Sequence, residues 1–215
     1  MNLIDRLGKW YDYFDKHEFN YILKTLRHLY STEKIMPDSH DIFKAFELCD
    51  IEKNHVVILG QDVYPQKNVA TGIAFANRSD TKQSNWSPSL KKLLEPLNVY
   101  ELFDCSLLNW CNQGVLLLNS ALTCVMNKPN SHSLLWRSFI TAFLNNYSSK
   151  NKDIVYVLLG TNAKSCKDYI SKSLNIIKLN HPSYFCRYNI PMPDFYYEVN
   201  KTLKINDFEI IDWYA

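Results

Sequence analysis

Residues 56–64 have the sequence VVILGQDVY, and this stretch decides the fold. Its apolar run, Val56 to Leu59, is followed at once by Gly60, Gln61 and Asp62. Short runs of β-branched residues and leucine that are bounded by turn residues are typical of buried strands. We therefore predict a buried strand that ends just before Asp62.

Three further segments show the same change from apolar to polar residues. They are residues 115–118 followed by Asn119, residues 154–159 followed by Gly160 and Thr161, and residues 176–179 followed by Asn180 and His181. In open α/β sheets, ligands bind at the carboxyl ends of the strands. The four strands should therefore bring Asp62, Asn119, a Gly-Thr turn and His181 to one edge of a sheet.

Helical spacing of apolar residues is found between these strands and before them. Residues 90–97, 136–144 and 163–170 are predicted to be crossover helices, and residues 1–50 to be N-terminal helices packed on the core. Asp38 or Ser39 is expected to cap the last of the N-terminal helices. Strands that alternate with helices predict an α/β fold, a single domain over residues 1–215 with a central, mainly parallel four-stranded sheet and helices on both faces.

Length and composition limit the class of protein. A chain of 215 residues suits one domain with a substantial core. No apolar stretch approaches the roughly 18 residues that a membrane span needs, and the N-terminus lacks the order of a secretory signal. The six cysteines form no CxxC pair, which favours reduced thiols in an intracellular compartment and gives no indication of a zinc site. Because the net charge is only +2, any contact with nucleic-acid phosphates would have to be local.

A series of motifs in a fixed order resembles a known family. The motifs are Gly60 to Pro65, Gly72 to Ala76, Ser87 to Lys91, Gln113 to Asn119 with Leu122 and Thr123, Asn130 to His132 with Trp136, Leu158 to Gly160, His181 to Ser183, and Ile211 to Trp213. Their order and spacing are similar to those of the family 1 uracil-DNA glycosylases. The resemblance implies that fold, and an enzyme that flips uracil out of DNA and hydrolyses its N-glycosidic bond. It implies no metal and no cofactor.

The resemblance assigns the catalytic roles to Asp62 and His181. The Asp62 carboxylate would stabilise the positive charge of an oxocarbenium-like sugar and orient the attacking water. An N–H group of His181 would stabilise the negative charge on O2 of the departing uracil. From the residues alone, the alternative is that Asp62 is a turn residue that accepts backbone N–H bonds, which is a common use of aspartate. His132 also falls in a motif, but we predict a structural role for it in the loop after Thr123.

Four further residues are predicted to bind the base. The carboxamide of Asn119 can donate to O4 of uracil and accept from N3–H, a pattern that cytosine does not match. Phe75 offers a flat face for stacking, and Tyr64 would clash with the methyl group of thymine. Gln61 would contribute backbone contacts. For Phe75 and Tyr64, the alternative is a place in the hydrophobic core.

Phosphate contacts are predicted at three helix starts. A serine at the N-cap and a proline at the next position leave N–H groups and hydroxyls pointing outward, where they and the helix dipole can bind an anion. The residues predicted to bind DNA in this way are Ser87, Pro88 and Ser89 in the first segment, Gly160 and Thr161 in the second, and Ser183 in the third.

Several motif positions differ from the family. Val63 replaces a proline, and Pro65 and Thr71 each replace a histidine, which should affect the rate and the strand preference more than the reaction. After Ser183 the family has Pro-Leu, whose leucine enters the minor groove, whereas this chain has Tyr184 and Phe185. Either aromatic side chain could fill the space left by a flipped base, and Phe185 occupies the position of the leucine.

The implied partners are uracil-containing single- and double-stranded DNA and proteinaceous glycosylase inhibitors, with no membrane. We expect a monomer in the cytoplasm, or in the nucleus of a host cell if the protein is viral. Two alternatives remain open: a DNA-binding replication module with the same fold, and a glycosylase of broader base specificity. Intact Asp62, Asn119 and His181 argue against the first, and Tyr64 and Asn119 argue against the second.

Overall fold

The computed structural model describes residues 2–99, 103–171 and 175–215. The strands in these ranges are β1 (Ile35–Met36), β2 (Val56–Gly60), β3 (Val115–Asn119), β4 (Cys124–Val125), β5 (Val155–Leu159) and β6 (Ile176–Leu179). The α-helices are α1 (Leu3–Leu7), α2 (Lys16–Thr32), α3 (Lys44–Leu48), α4 (Pro88–Leu94), α5 (Leu108–Asn112), α6 (Ser133–Lys150), α7 (Thr161–Ser165), α8 (Pro182–Tyr188) and α9 (Tyr196–Ile205). Short 3₁₀ helices cover Gly8–Tyr13, Ile51–Lys53, Gln83–Asn85, Glu95–Leu97 and Lys167–Tyr169.

Four of the strands form a parallel sheet in the order β3-β2-β5-β6. The register pairs Val56 of β2 with Val115 of β3 and with Val155 of β5, so the carboxyl ends of these strands meet at one edge. The predicted α/β class and the four predicted strands are therefore confirmed. The two-residue strands β1 and β4 pair antiparallel outside this sheet and are too short to give a sequence pattern.

Helices cover both faces of the sheet, and β2, β3 and β5 are therefore buried along their whole length. Alternate residues of β2 belong to different apolar clusters: Val57 and Leu59 pack with α2, α3 and α6, whereas Val56 and Ile58 pack with α4, α5 and α9. Residues of the N-terminal region, such as Leu7 and Phe14, are part of the first cluster. Trp10 is buried there and its indole N–H donates to the carbonyl oxygen of Cys49 at 2.7 Å.

Some of the predicted helix boundaries are wrong, including 163–170, where α7 ends at Ser165 and a 3₁₀ helix follows. Helix α3 begins at Lys44, and its N-cap is Phe43, not Asp38 or Ser39. Residues 38–41 instead form a turn closed by the Asp41 N–H and the Asp38 carbonyl. Helix α6 extends well beyond the predicted 136–144, because the polar residues near its ends conceal the continuing helix from an apolar pattern.

None of the helices in the described part of the chain is long and apolar enough to cross a bilayer. The six cysteines are free thiols, and all but Cys186 are buried. Burial is the main reason that the pKa of Cys111 is raised, to about 12. Such a thiol stays neutral and is packed as a small apolar group.

A buried asparagine ties the starts of β2 and β3 to α6. The Asn54 amide donates to the carbonyl oxygens of Val56 at 2.9 Å and Gly114 at 2.7 Å. Its own carbonyl accepts from the Tyr147 hydroxyl at 2.7 Å. Buried polar groups are costly when they lose their partners, so this residue stabilises the junction at the amino end of the sheet.

Replacing Asn54 with alanine should therefore lower the free energy of unfolding by about 3 kcal/mol, since it leaves several buried groups unpaired. Asn112→Ala, at the exposed end of α5, is the control and should change stability by less than about 0.5 kcal/mol. Urea unfolding of both variants measures the difference, and equal stabilities would contradict the role given to Asn54.

Candidate active site

The carboxyl edge of the sheet gathers the predicted side chains around two glycines. A Cβ atom on Gly60 would lie only 2.5 Å from Oδ1 of Asn119 and 2.9 Å from Cζ of Phe75. A Cβ atom on Gly160, where φ is +99°, would lie 3.0 Å from Cβ of His181. The two strand ends must be glycine because these side chains occupy the space above them.

Asp62 lies two residues beyond the end of β2 and is largely buried. Its Oδ2 accepts the backbone N–H of Asn130, and its Oδ1 is buried without a hydrogen-bond partner among the described residues. Burial raises the pKa of Asp62 from 3.8 to about 6, although the N–H groups of Asn130 and Val63 counteract part of the shift. The group is thus an anion at neutral pH, with one oxygen held by an N–H group and the other buried without a partner among the described residues.

His181 is the N-cap residue of α8 and is held by the first turn of that helix. Its Nδ1 accepts the backbone N–H of Ser183 at 3.2 Å and lies 2.9 Å from the Ser183 hydroxyl. Burial lowers the pKa of His181 to about 4, so the imidazole is neutral at neutral pH. Because Nδ1 accepts the Ser183 N–H, the ring proton is placed on Nε2, which can then donate to a bound molecule.

Phe75 and Asn119 lie close together above the end of β2, and the space beside them is the candidate pocket for a base. The Phe75 ring lies 5.7 Å from the His181 ring, centroid to centroid, and is tilted to it by 35°. Asn119 ends β3, is 5% exposed, and its carboxamide makes no hydrogen bond with the described residues. A buried amide without partners beside an aromatic face can bind a planar ring that has both a donor and an acceptor.

Tyr64 forms a fixed wall beside this pocket. Its hydroxyl donates to the carbonyl oxygen of Phe75 at 2.9 Å and accepts from the Ser87 hydroxyl at 2.6 Å. The ring packs against the small apolar cluster of Val63, Ala70 and Cys124. Burial raises the pKa of the Tyr64 phenol well above its usual range, so it stays protonated and keeps both bonds.

The backbone carbonyl and the side-chain amide of Gln61 form hydrogen bonds with other residues of the protein. Its carbonyl oxygen accepts the Ser120 hydroxyl at 2.7 Å and the Ala121 N–H at 3.1 Å, and its side-chain amide donates to Oδ1 of Asn130 at 2.9 Å. The carbonyl is therefore occupied, and a backbone contact to a base would have to come from the N–H of Gln61. That contact stays a prediction.

The three segments predicted to bind DNA phosphates differ in which of their side chains are exposed to solvent. Ser87 is the N-cap of α4, but the expectation of an outward hydroxyl is wrong, because the buried side chain bonds to Tyr64 and lies 3.1 Å from Oδ1 of Asn77. Pro88 at the first helical position is exposed, and Ser89 is half-buried. DNA binding by this segment remains a prediction that depends on Ser89 and backbone N–H groups.

The other two segments lie at the starts of short helices. Gly160 is the N-cap of α7, and exposed Thr161 follows it. Ser183 is exposed in the first turn of α8, where it also contacts His181. These residues are placed as expected, and their binding to DNA is untested.

The expected position of the wedge is wrong for Phe185. Its side chain is only 6% exposed and packs in the cluster of α4 and α9, because α8 turns this residue toward the core. Tyr184 is 39% exposed and contacts the exposed ring of Tyr188, with centroids 4.6 Å apart. Tyr184 is therefore the one of the two aromatic residues that can reach a nucleic acid.

Sequence reasoning missed the roles of two residues. Asn130 holds the Asp62 carboxylate, and Ser183 fixes the tautomer of His181. Asn130 is a loop residue far from Asp62 in the sequence, so no spacing rule links the two, whereas Ser183 is in the first turn of α8, where an N-cap side chain such as that of His181 commonly accepts an N–H. The structural role predicted for His132 is confirmed, since its Nδ1 lies 2.9 Å from the Thr123 hydroxyl in a buried loop.

Within the described ranges, one group of side chains is close enough to hold a metal ion. It consists of Asp38, His40 and Asp41, whose possible ligand atoms lie within 4.8 Å of one another. The group is on the turn before α3 and includes none of the predicted site residues. Exposed acidic groups of this kind are common without a metal.

Comparisons with known proteins agree with this geometry. A family model described as the uracil DNA glycosylase superfamily matches residues 46–204. A uracil-DNA glycosylase of Mesomycoplasma hyopneumoniae is 36% identical over 182 residues, which are 82% of this chain and 81% of the relative. One of Fusobacterium nucleatum is 33% identical over 214 residues, 93% of this chain and 90% of the relative.

Solved structures show the same fold. A tyrosine-to-phenylalanine variant of the mimivirus UNG in complex with UGI has a TM-score of 0.80 at 25% identity, over 92% of this chain and 83% of the other. Mimivirus uracil-DNA glycosylase has a TM-score of 0.76 at 22% identity, over 97% and 90%. The match over most of the chain, and the side chains gathered at the carboxyl edge of the sheet, lead to one conclusion. The chain belongs to the uracil-DNA glycosylase superfamily.

Proposed function

We propose that the chain is a family 1 uracil-DNA glycosylase that hydrolyses the N-glycosidic bond of uracil in DNA and leaves an abasic site. Curated relatives that are 33–37% identical over most of the chain are uracil-DNA glycosylases. The observation that supports this function most directly is a pair of groups at the carboxyl edge of the sheet, where Phe75 and Asn119 also lie. Asp62 is a buried anion with one unbonded oxygen, and His181 is a neutral donor.

Asp62 acts on the sugar and on the water. Its pKa of about 6 leaves it ionised at neutral pH, yet burial keeps its charge poorly screened. Negative charge in a site of low dielectric stabilises the positive oxocarbenium-like sugar that forms as the bond to the base breaks. A carboxylate can also accept a hydrogen bond from the attacking water and orient it.

His181 acts on the leaving base. Uracil departs as an anion with charge on O2, and a neutral Nε2–H can donate a hydrogen bond to that oxygen without transferring its proton. A pKa of about 4 makes the imidazole a weak base, so it stays neutral throughout the reaction. Because His181 is neutral, it gives Asp62 no positive charge to pair with before the sugar itself becomes positive.

Selection of uracil depends on Asn119 and Tyr64. The unbonded carboxamide of Asn119 can match O4 and N3–H of uracil, whereas cytosine would leave buried groups unpaired. Tyr64 can exclude the methyl group of thymine only if the ring does not move. Its hydroxyl has two hydrogen bonds, to Phe75 and Ser87, which fix it.

The base reaches this pocket by leaving the stack, because the glycosidic bond is shielded inside a duplex. Ser89, Thr161 and Ser183, with neighbouring backbone N–H groups, would hold the phosphates on either side of the flipped nucleotide. Tyr184 would insert where the base had been. Its ring is exposed beside His181, so insertion requires no rearrangement of the core.

We extend two partner assignments to the chain. A mimivirus UNG variant with a closely similar fold is in complex with UGI, which supports a proteinaceous inhibitor as a partner here. A monomer is sufficient for the activity, since Asp62, Asn119 and His181 all come from one chain.

Asp62→Asn provides the direct test of this function. Loss of the charge should lower uracil release from single-stranded DNA by about 10²-fold or more, while DNA affinity stays nearly unchanged. Free uracil from matched oligonucleotides measures the rate, with thymine and cytosine strands as controls. Turnover like that of the wild type would contradict the role of Asp62.

The same variant should be more stable at high pH. The folded pKa of about 6 exceeds the ordinary value of 3.8, so the ionised carboxylate opposes folding above pH 6, and this penalty disappears below pH 3.8. Asp62→Asn should raise the free energy of unfolding by roughly 2 kcal/mol at pH 8 and by little at pH 3.5. Urea unfolding at both values measures this, and an equal change at each pH would contradict it.

Base selectivity should change when the pocket is altered. Asn119→Asp, with the new carboxyl protonated, should release cytosine weakly, and Tyr64→Ala should release thymine because space opens for the methyl group. Tyr64→Phe keeps the ring but loses the two hydrogen bonds that fix it, so it should release thymine less than Tyr64→Ala and more than the wild type. If neither altered pocket gains activity on its base, the assignment of these residues is wrong.

Tyr184→Ala should reduce kcat/KM on duplex DNA much more than on single strands, because a single strand has no opposite stack to restore. Tyr197→Ala, an exposed tyrosine on α9, is the control and should affect neither substrate. Matched uracil oligonucleotides at one salt concentration give the comparison. Equal losses on both substrates for Tyr184→Ala would show that it is not the wedge.

A further inference from the structure

Asn130 lies in the loop between β4 and α6 and adopts a left-handed backbone, with φ of +61°. Its N–H donates to Oδ2 of Asp62, although 68 positions separate the two residues in the chain. A charged acceptor makes such a bond stronger than one between neutral groups. The loop therefore contacts one oxygen of the buried carboxylate.

The side chain of Asn130 is bound from two other directions. Its Oδ1 accepts from the amide of Gln61 at 2.9 Å and from the amide of Asn162 at 3.4 Å. These donors come from the segment after β2 and from α7. Asn130 consequently connects three strand-end segments, one of which carries Asp62.

The next residues secure the backbone of this loop. The Asn130 carbonyl oxygen accepts the Ser133 N–H at 3.2 Å and the Ser133 hydroxyl at 2.8 Å, at the start of α6. Asparagine is one of the few residues with a side chain that tolerates a left-handed backbone. The residue type thus suits both the conformation and the side-chain bonds.

We propose that Asn130 is a positioning residue for the catalytic carboxylate: its N–H holds Oδ2 of Asp62, and its side chain fixes the loop that presents this N–H. The inference depends on the proposed function, because that function assigns the catalytic role to the Asp62 carboxylate. With Oδ2 held, the carboxyl group cannot rotate freely, so the orientation of both of its oxygens is set. A carboxylate that stabilises a positive sugar must keep such a fixed orientation.

The same contact also sets the charge of Asp62. The N–H of Asn130 favours the ionised carboxylate and works against burial, so weakening it should raise the pKa of Asp62 above about 6. The neighbouring titratable group on β4 is the Cys124 thiol, whose own pKa is raised to about 12 by burial and by Asp62. On α8, His181 is neutral. Both groups stay uncharged over the range in which Asp62 titrates.

The test measures kcat, KM and the pH profile of kcat/KM for two variants. Asn130→Gly keeps the N–H and the left-handed backbone and removes only the side-chain bonds. We expect kcat to fall between about 10- and 10²-fold with little change in KM, and the acid limb, near pH 6 in the wild type, to move upward. Asn130→Asp adds a like charge and should move that limb up by roughly one unit or more.

Asn127 supplies the matched controls. It is an exposed asparagine in the same loop with φ of +63°, and its N–H donates to the carbonyl oxygen of Pro65 instead of to the catalytic carboxylate. Asn127→Gly should keep the wild-type kcat and acid limb, and Asn127→Asp should move the limb less than Asn130→Asp does. Equal effects at the two positions would overturn the proposal.

Further outcomes separate the positioning role from the function itself. No uracil release by the wild type would refute the proposed function, whereas release with a wild-type kcat and acid limb in Asn130→Gly would refute only the positioning role. Should Asn130→Gly fail to fold, Gln61→Ala removes the 2.9 Å donor to Asn130 and must lower kcat and raise the acid limb. An unchanged profile in Gln61→Ala would then overturn the proposal.

Discussion

Burial of one carboxylate at the end of β2 is the constraint on which the site depends. An ionised group in a poorly hydrated place is unfavourable unless donors face it, and the protein supplies donors to one oxygen of Asp62 only. The sheet makes this tolerable, since the parallel strands fix the backbone on both sides of β2. The free energy gained by folding the rest of the protein thus offsets the cost of burying this anion at the carboxyl edge of the sheet.

The parallel sheet could be predicted from the sequence because its cause is local. Each buried strand is a short apolar run ended by a turn residue, and parallel strands must place those ends together. The meeting of Asp62, Asn119 and His181 followed from that rule alone. The family resemblance added the role of each residue, which periodicity does not contain.

The errors have physical causes that lie outside local patterns. Phe185 was expected at the surface because its position in the motif matched, but the start of α8 at Pro182 rotates it into the core and leaves Tyr184 outside. Ser87 was expected to face outward as a helix cap, yet Tyr64, 23 positions earlier in the chain, takes its hydroxyl. Asn130 was missed for the same reason, since its partner is distant in sequence.

The chain of hydrogen bonds through Tyr64 has an evolutionary consequence. The Phe75 carbonyl, the Tyr64 hydroxyl, the Ser87 hydroxyl and Asn77 form one connected path from the wall of the base pocket to the start of α4. A lineage that altered the α4 segment to change its hold on a nucleic acid would also loosen the wall that rejects a methyl group. Selectivity for uracil and DNA binding by the α4 segment should therefore change together during evolution.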